Sequence, residues 1–404
     1  MQIESCLTAK CLRQRADESL PKCRVKIKAK ETGADGTAPV FLMHRKEETK
    51  AAHSVGRMFF NCMFVQSKCI AKRRMVSRKV LPTQLFSLNY SRRGVIMERK
   101  DFYIPSRDGV HKLHVVLWEP DMAPRAVVQI SHGMTEMIDR YEDFALFLND
   151  NGYAVIGNDH LGHGLTAGND SDLGYFCPKN MSATVVADLH RVTKYAKKKY
   201  KGIPYFLLGH SMGSFMARRY IMTYGMDLDG TIICGTGRKS RQILMAGELV
   251  ANMQRALFGD RFRSRLLNKS AFDGYLKRIS NPRTASDWLT RDEKIVDFYK
   301  SNKYCGFSFT VNGYRTIFDV LTFIQNKRNI SRIPKELPLF FIAGGEDPVG
   351  HYGRDVHKIS AIYKKAGMEM VSVKIYPNDR HEILNELDRN QVYQDVLSWL
   401  NVLS

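Results

Sequence analysis

The run Tyr205-Phe206-Leu207-Leu208-Gly209-His210-Ser211-Met212-Gly213-Ser214-Phe215-Met216-Ala217-Arg218-Arg219-Tyr220 decides how this chain is read. Its first four residues are continuously apolar, as in a strand buried on both faces of a sheet. From Phe215 the residues suit a helix. Between the two lies Gly-x-Ser-x-Gly, which fits a sharp strand-to-helix turn. Small residues at 209 and 213 let neighbouring backbone come close, and Ser211 is held in a strained conformation with its hydroxyl presented. Ser211 is therefore the candidate nucleophile.

The same alternation extends in both directions. Phe102–Pro105 and Leu113–Trp118 flank Arg107-Asp108-Gly109, whose Asp-Gly marks a hairpin turn. Val127–Ser131, Ala154–Asn158, Gly230–Cys234, Leu339–Ala343 and Val371–Tyr376 read as further strands. Arg140–Asn149, Ala183–Lys199, Phe215–Thr223, Val356–Lys364 and Val392–Leu403 read as helices. This order predicts an α/β protein whose mostly parallel central sheet is flanked by helices on both faces through right-handed crossovers. The alternation breaks once, between Cys234 and Leu339, which are the sixth and seventh predicted strands. That stretch is far longer than an ordinary αβ connection. It carries helical patterns at Ile243–Leu257 and Asp292–Lys300, so residues of about 236–335 are expected to form a helical cap over the C-terminal edge of the sheet, where open α/β folds bind ligands.

A serine hydroxyl needs a base, and the base needs an orienting acid. In this architecture the acid and then the histidine follow late strands. Asp347 lies in Gly344-Gly345-Glu346-Asp347-Pro348-Val349-Gly350, and His381 lies in Pro377-Asn378-Asp379-Arg380-His381-Glu382. Glu346 and Asp379 are alternative acids. The oxyanion of an acyl-transfer intermediate calls for two backbone donors: the N–H of Met212 after the nucleophile, and that of Met134 in Ser131-His132-Gly133-Met134-Thr135-Glu136. His132, and His160 and His163 in Asp159-His160-Leu161-Gly162-His163-Gly164, invite a zinc reading. No carboxylate or cysteine cluster completes such a site, and loop-shaping histidines are the better account.

Together these motifs, with Arg140-Tyr141, the Asp347-Pro348-Val349-Gly350 turn and Arg380-His381-Glu382, resemble the monoacylglycerol lipase and lysophospholipase-like branch of the α/β-hydrolases, also labelled serine aminopeptidase-like. The resemblance runs from about Met97 to Ser404, and Trp288-Leu289-Thr290-Arg291-Asp292 looks like the cap of bacterial members. It implies an α/β-hydrolase fold, a Ser211–His381–Asp347 triad, an acyl-enzyme, and no metal or organic cofactor. One departure is Met134, which stands where a small residue is often found and narrows the expected acyl pocket. The substrate class implied is a monoacylglycerol- or lysophospholipid-like lipid ester. A short-chain carboxylesterase, a thioesterase or an aminopeptidase would use the same triad, and an aminopeptidase could recruit Glu136, Glu346 or Glu382 for the substrate amine. A non-catalytic binding protein is a weaker alternative because no triad member is missing.

In the cap, Ile243, Leu244, Leu249, Val250, Met253 and Leu257 stand beside Arg255, Arg261, Arg263 and Arg265. Such a surface would admit one acyl chain and touch a membrane transiently, or the apolar residues would simply pack inward.

Composition bounds the rest. With 44% hydrophobic and 25% charged residues the 404-residue chain is neither wholly disordered nor membrane-embedded. The longest apolar run, around Met58–Val65, is too short to span a bilayer. Of the net charge of +21, residues 1–96 carry +13, from 20 Lys and Arg against 7 Asp and Glu. These residues show no sustained period and are read as a basic extension. It is either disordered or an annotation artefact with the true start at Met97, where regular patterning begins. A nucleic-acid-binding arm and a targeting peptide are the competing readings, and nucleic acid is not expected as a partner. The eight cysteines match neither a zinc set nor a disulfide scaffold, and no secretory signal opens the chain, so a cytoplasmic protein is expected. Nothing in the sequence bears on oligomeric state.

Overall fold

The computed structural model describes residues 86–92 and 95–404, with side chains from residue 98 onward. The expectations for residues 1–85 lie outside the described residues. Nine strands form one sheet: β1 (Phe86–Arg92), β2 (Val95–Pro105), β3 (Lys112–Glu119), β4 (Ala126–Ser131), β5 (Tyr153–Asn158), β6 (Tyr205–His210), β7 (Gly230–Cys234), β8 (Leu339–Gly344) and β9 (Val371–Tyr376). Their spatial order is β1-β2-β3-β5-β4-β6-β7-β8-β9. The first three pair antiparallel, as does β3 with β5, and every pair from β5–β4 to β8–β9 is parallel. This is the α/β-hydrolase arrangement expected from the sequence. The sheet begins ahead of Met97, because β1 pairs with β2 from Phe86↔Asp101 to Arg92↔Val95.

The helices are α1 (Glu142–Asp150), α2 (Met181–Lys199), α3 (Met212–Tyr224), α4 (Arg241–Phe258), α5 (Arg265–Phe272), α6 (Glu293–Ser301), α7 (Val311–Ile324), α8 (Lys327–Ile330), α9 (Arg354–Lys365) and α10 (Arg389–Leu403). Burial on both faces explains the continuous apolar strands. In β6, Tyr205 and Leu207 join the core under α2 and α3, while Phe206 and Leu208 join the core under α1 and α10. Helices α4 to α8 fill the long insertion, which falls between the predicted sixth and seventh strands, here β7 and β8 because of the extra edge strand. None of the described helices is long and apolar enough to cross a membrane. Cys177, Cys234 and Cys305 are buried and unpaired.

The α4 helix divides the apolar residues named above. Leu244 and Ala251 are buried, whereas Ile243, Leu249, Met253 and Leu257 are 58%, 63%, 56% and 71% exposed. These four do not serve as core.

Behind the sheet's C-terminal edge, Asp159 ties three segments together. Its carboxylate accepts the N–H groups of Ile138 (2.9 Å) and Leu165 (2.8 Å) and meets His114 Nδ1 at 2.9 Å. A Cβ on Gly164 would lie 2.2 Å from this carboxylate, which is why the loop needs glycine there. His114 Nε2 meets Asp101 at 3.0 Å. Burial opposes charge on His114, but hydrogen bonds to Asp101 and Asp159 and their charges outweigh it and raise its pKa to about 9. An unfolded imidazole titrates near 6.5. The stabilisation is therefore complete below about pH 6.5 and disappears as pH rises through about 9. Denaturant unfolding across this range should show the wild type losing on the order of 2–3 kcal/mol, and His114→Gln should flatten that slope.

Candidate active site

The strand β6 ends at His210 and α3 starts at Met212, so Ser211 alone makes the turn, at φ 53° and ψ −119°. For a residue with a Cβ this costs on the order of 1–3 kcal/mol. Close packing holds it in place. A Cβ on Gly209 would sit 2.4 Å from the Gly213 carbonyl oxygen, and one on Gly213 would sit 1.9 Å from that of Ser131. The first turn of α3 thus lies directly on the end of β4 and on the loop that follows it. The Ser211 N–H donates to the Cys234 carbonyl at 3.0 Å, tying the turn to β7.

The loop after β4 carries Met134, and a Cβ on Gly133 would lie 3.2 Å from that of Ser211. Thr135 holds a left-handed φ of 53°. Its N–H donates to His163 Nε2 at 3.3 Å, and its hydroxyl meets Tyr299 of α6 at 2.7 Å. His132 Nε2 accepts the His160 N–H at 2.9 Å, and His160 Nε2 meets the Ser131 hydroxyl at 3.1 Å. Burial lowers the pKa of all three histidines, His163 to about 3, so they are neutral. They shape the loop, as the sequence reading expected. The one metal-spaced group among the described residues is Asp379, Glu386 and Asp388. The Arg291 guanidinium occupies it, at 2.7, 3.0 and 2.6 Å.

Asp347 and His381 are brought together, with His381 Nδ1 3.0 Å from Asp347 Oδ1 and both side chains buried. The same carboxylate oxygen accepts the Val349 N–H at 2.8 Å. Their loops touch because of two glycines: a Cβ on Gly344 would lie 2.1 Å from the Asp379 and Arg380 carbonyl oxygens, and one on Gly345 would lie 2.5 Å from that of Pro377. The alternative acids face elsewhere. Glu346 pairs with Arg278 at 3.7 Å, and Asp379 pairs with Arg291. The cap grips the histidine loop from above. Glu382 N–H donates to the Leu289 carbonyl at 2.7 Å, and the Trp288 ring lies 5.1 Å from the imidazole of His381.

Sequence reasoning missed the ionic network beneath these loops. Arg140 binds Glu382 through two hydrogen bonds, at 2.7 and 2.5 Å, and Glu136 at 2.5 Å. Glu136 also accepts the Tyr141 hydroxyl (2.8 Å) and the Gly133 N–H. All three charged side chains are buried. Burial works against the charge on Glu136, but Arg140 and His210 outweigh it and hold the carboxyl below its ordinary range. Glu136, Arg140 and Glu382 each belong to a quoted motif, yet a pairing across 242 residues leaves no local signal.

A cavity of about 520 Å³ holds Ser211, His381, Met134 and Met212 in its wall. The rest of the wall is largely apolar and comes from the cap, including Ile243, Val250, Leu267, Trp288 and Phe318. Met134 is one of the residues lining this cavity.

The family described as serine aminopeptidase, S33 (Hydrolase_4) matches residues 122–388. Human monoglyceride lipase is 25% identical over 287 residues, covering 70% of this chain and 85% of that protein. The monoacylglycerol lipase of Mycolicibacterium smegmatis is 26% identical over 297 residues, covering 72% and 94%. The crystal structure of a thermostable carboxyl esterase from Bacillus coagulans, in complex with glycerol, superposes with a TM-score of 0.70 at 28% identity, covering 80% of this chain and 99% of that one.

Gly213→Ala should destabilise the protein by more than about 3 kcal/mol, because the new methyl overlaps the Ser131 carbonyl and only backbone can give way. Thermal unfolding checks this. Ser214→Ala on the same helix turn should have a much smaller effect.

Proposed function

The chain belongs to the serine aminopeptidase S33 family of α/β-hydrolases and is a serine hydrolase of the monoglyceride lipase and esterase branch, and we propose that it cleaves monoacylglycerol- or lysophospholipid-like esters through Ser211, His381 and Asp347. The observation that carries this reading is the shared cavity: Ser211 and the Asp347-bound His381 open into one space with apolar cap walls. A single acyl chain is the natural occupant.

In this mechanism His381 Nε2 takes the proton of the Ser211 hydroxyl as Oγ attacks the ester carbonyl. Asp347, bonded to Nδ1, fixes the tautomer and stabilises the imidazolium. The N–H groups of Met134 and Met212 bind the oxyanion. The imidazolium then protonates the leaving alcohol, and water, deprotonated by His381, releases the fatty acid. No metal or organic cofactor takes part. The exposed apolar face of α4 would rest transiently on a lipid surface while substrate transfers.

Electrostatics argues against an aminopeptidase. A substrate ammonium needs a carboxylate free to receive it, but Glu136 and Glu382 both belong to Arg140, and Glu346 faces Arg278. A short-chain esterase fits less well, since an acetyl group would leave most of the cap wall uncovered.

Ser211→Ala should abolish labelling by a fluorophosphonate probe, and undiminished labelling would refute Ser211 as nucleophile. Asp347→Asn should retain the fold and lower kcat by roughly 10²–10⁴. On an acyl series from acetyl to oleoyl glycerol esters, kcat/KM should rise into the medium and long chains. A preference for acetyl would refute the lipid reading.

A further inference from the structure

Two cations in the wall of the same cavity have no role in the chemistry above. Arg238 and Lys239 follow β7 and precede α4, and apart from histidines they are the only basic residues among the described residues lining the cavity. Their backbone N–H groups are used, Arg238 toward Asp355 at 3.3 Å and Lys239 toward Gln325 at 3.2 Å. Among the described residues neither side chain has a hydrogen-bond or ion-pair partner. The nearby carboxylate is already engaged: Asp355 meets His351 Nδ1 at 2.5 Å. Glu136 and Glu382, the only acidic residues among the described ones in the wall, are held by Arg140.

A partly buried cation without a counter-ion loses hydration and gains nothing in exchange. Burial accordingly lowers the pKa of Lys239, with Asp355 opposing only in part. The cost is recovered when an anion enters. A guanidinium fork beside an ammonium matches the several oxygens of a phosphate, and both would bind it through charge-assisted hydrogen bonds. A neutral glycerol head group offers no such partner.

Building on the hydrolase reading above, we propose that Arg238 and Lys239 form an anion subsite in the acyl-ester cavity, and that the preferred substrates are single-chain lipid esters bearing a phosphate, lysophospholipids rather than neutral monoacylglycerols. The subsite acts on binding, so its effect falls on KM more than on kcat. Because part of the attraction crosses solvent, added salt weakens it.

The test compares oleoyl glycerol with oleoyl glycerophosphate below their micelle concentrations. Binding to Ser211→Ala is followed by Trp288 fluorescence and calorimetry, and turnover is followed with the wild type. The phosphate ester should bind about tenfold or more tightly and show the higher kcat/KM. In the Ser211→Ala background, R238Q/K239M should erase that ratio. The charge-conserving R238K/K239R should retain most of it, which separates lost charge from lost fold. Equal affinity for the two lipids, or a ratio unchanged by R238Q/K239M, overturns the subsite. Charge-selective binding without turnover of either lipid by the wild type would leave the subsite standing and overturn the lipid-hydrolase reading. Competition by inorganic phosphate alone, as strong as that of the phosphate ester, would overturn the lipid as the ligand.

Discussion

The backbone at Ser211 is held where a residue with a side chain resists being held, and much of the molecule exists to keep it there. A φ of 53° with ψ of −119° is stable only if the strand before and the helix after are both fixed. The strand β6 is fixed by burial on its two faces, and α3 by contact of Gly213 with the backbone of β4. The arrangement turns the start of α3 toward the cavity and sets it beside the loop of Met134. Ser211 and Met212, adjacent in sequence, are thereby brought beside Met134, which lies in a separate stretch of the chain.

A second constraint is electrostatic. Arg140 joins the loop after β4, through Glu136, to the loop after β9, through Glu382. A buried ion group of this kind is tolerable only when its hydrogen bonds are satisfied, and Tyr141, Gly133 and His210 supply the remaining partners of Glu136. The network holds the loop after β4 and the loop after β9 in one register. It also removes two carboxylates from the chemistry of the cavity, whose largely apolar wall keeps Arg238 and Lys239 as cations without a carboxylate of their own. The cap adds a third hold: Arg291 binds three carboxylates of the histidine loop, and Trp288 lies against His381.

What the sequence made legible follows from the range over which each feature acts. The turn around Ser211, the apolar strands and the loop-bound Asp347 and His381 are all local signals, and the mostly parallel sheet follows from the alternation of strands with helices. The helices lie within a few residues of their expected ends, as with Met181–Lys199 against Ala183–Lys199. The edge strand Phe86–Arg92 was missed because its neighbours carry no periodic pattern. The pairing of Arg140 with Glu382 was missed because opposite charges are common and 242 residues separate these two. The outward face of α4 was ambiguous for another reason: helical spacing places Ile243, Leu249, Met253 and Leu257 relative to one another, but does not say which side meets solvent. The two cations at 238 and 239 sit in an irregular segment, where only the folded cavity reveals what they face.

The central claim is that one serine carries the acyl group during turnover. Mixing the protein with oleoyl glycerophosphate, quenching in acid within a turnover and sequencing the peptides by mass spectrometry measures this directly. The account predicts an oleoyl increment on Ser211 that decays as free fatty acid appears. An acyl group on another residue, or product formed with no acylated peptide at any quench time, would contradict it.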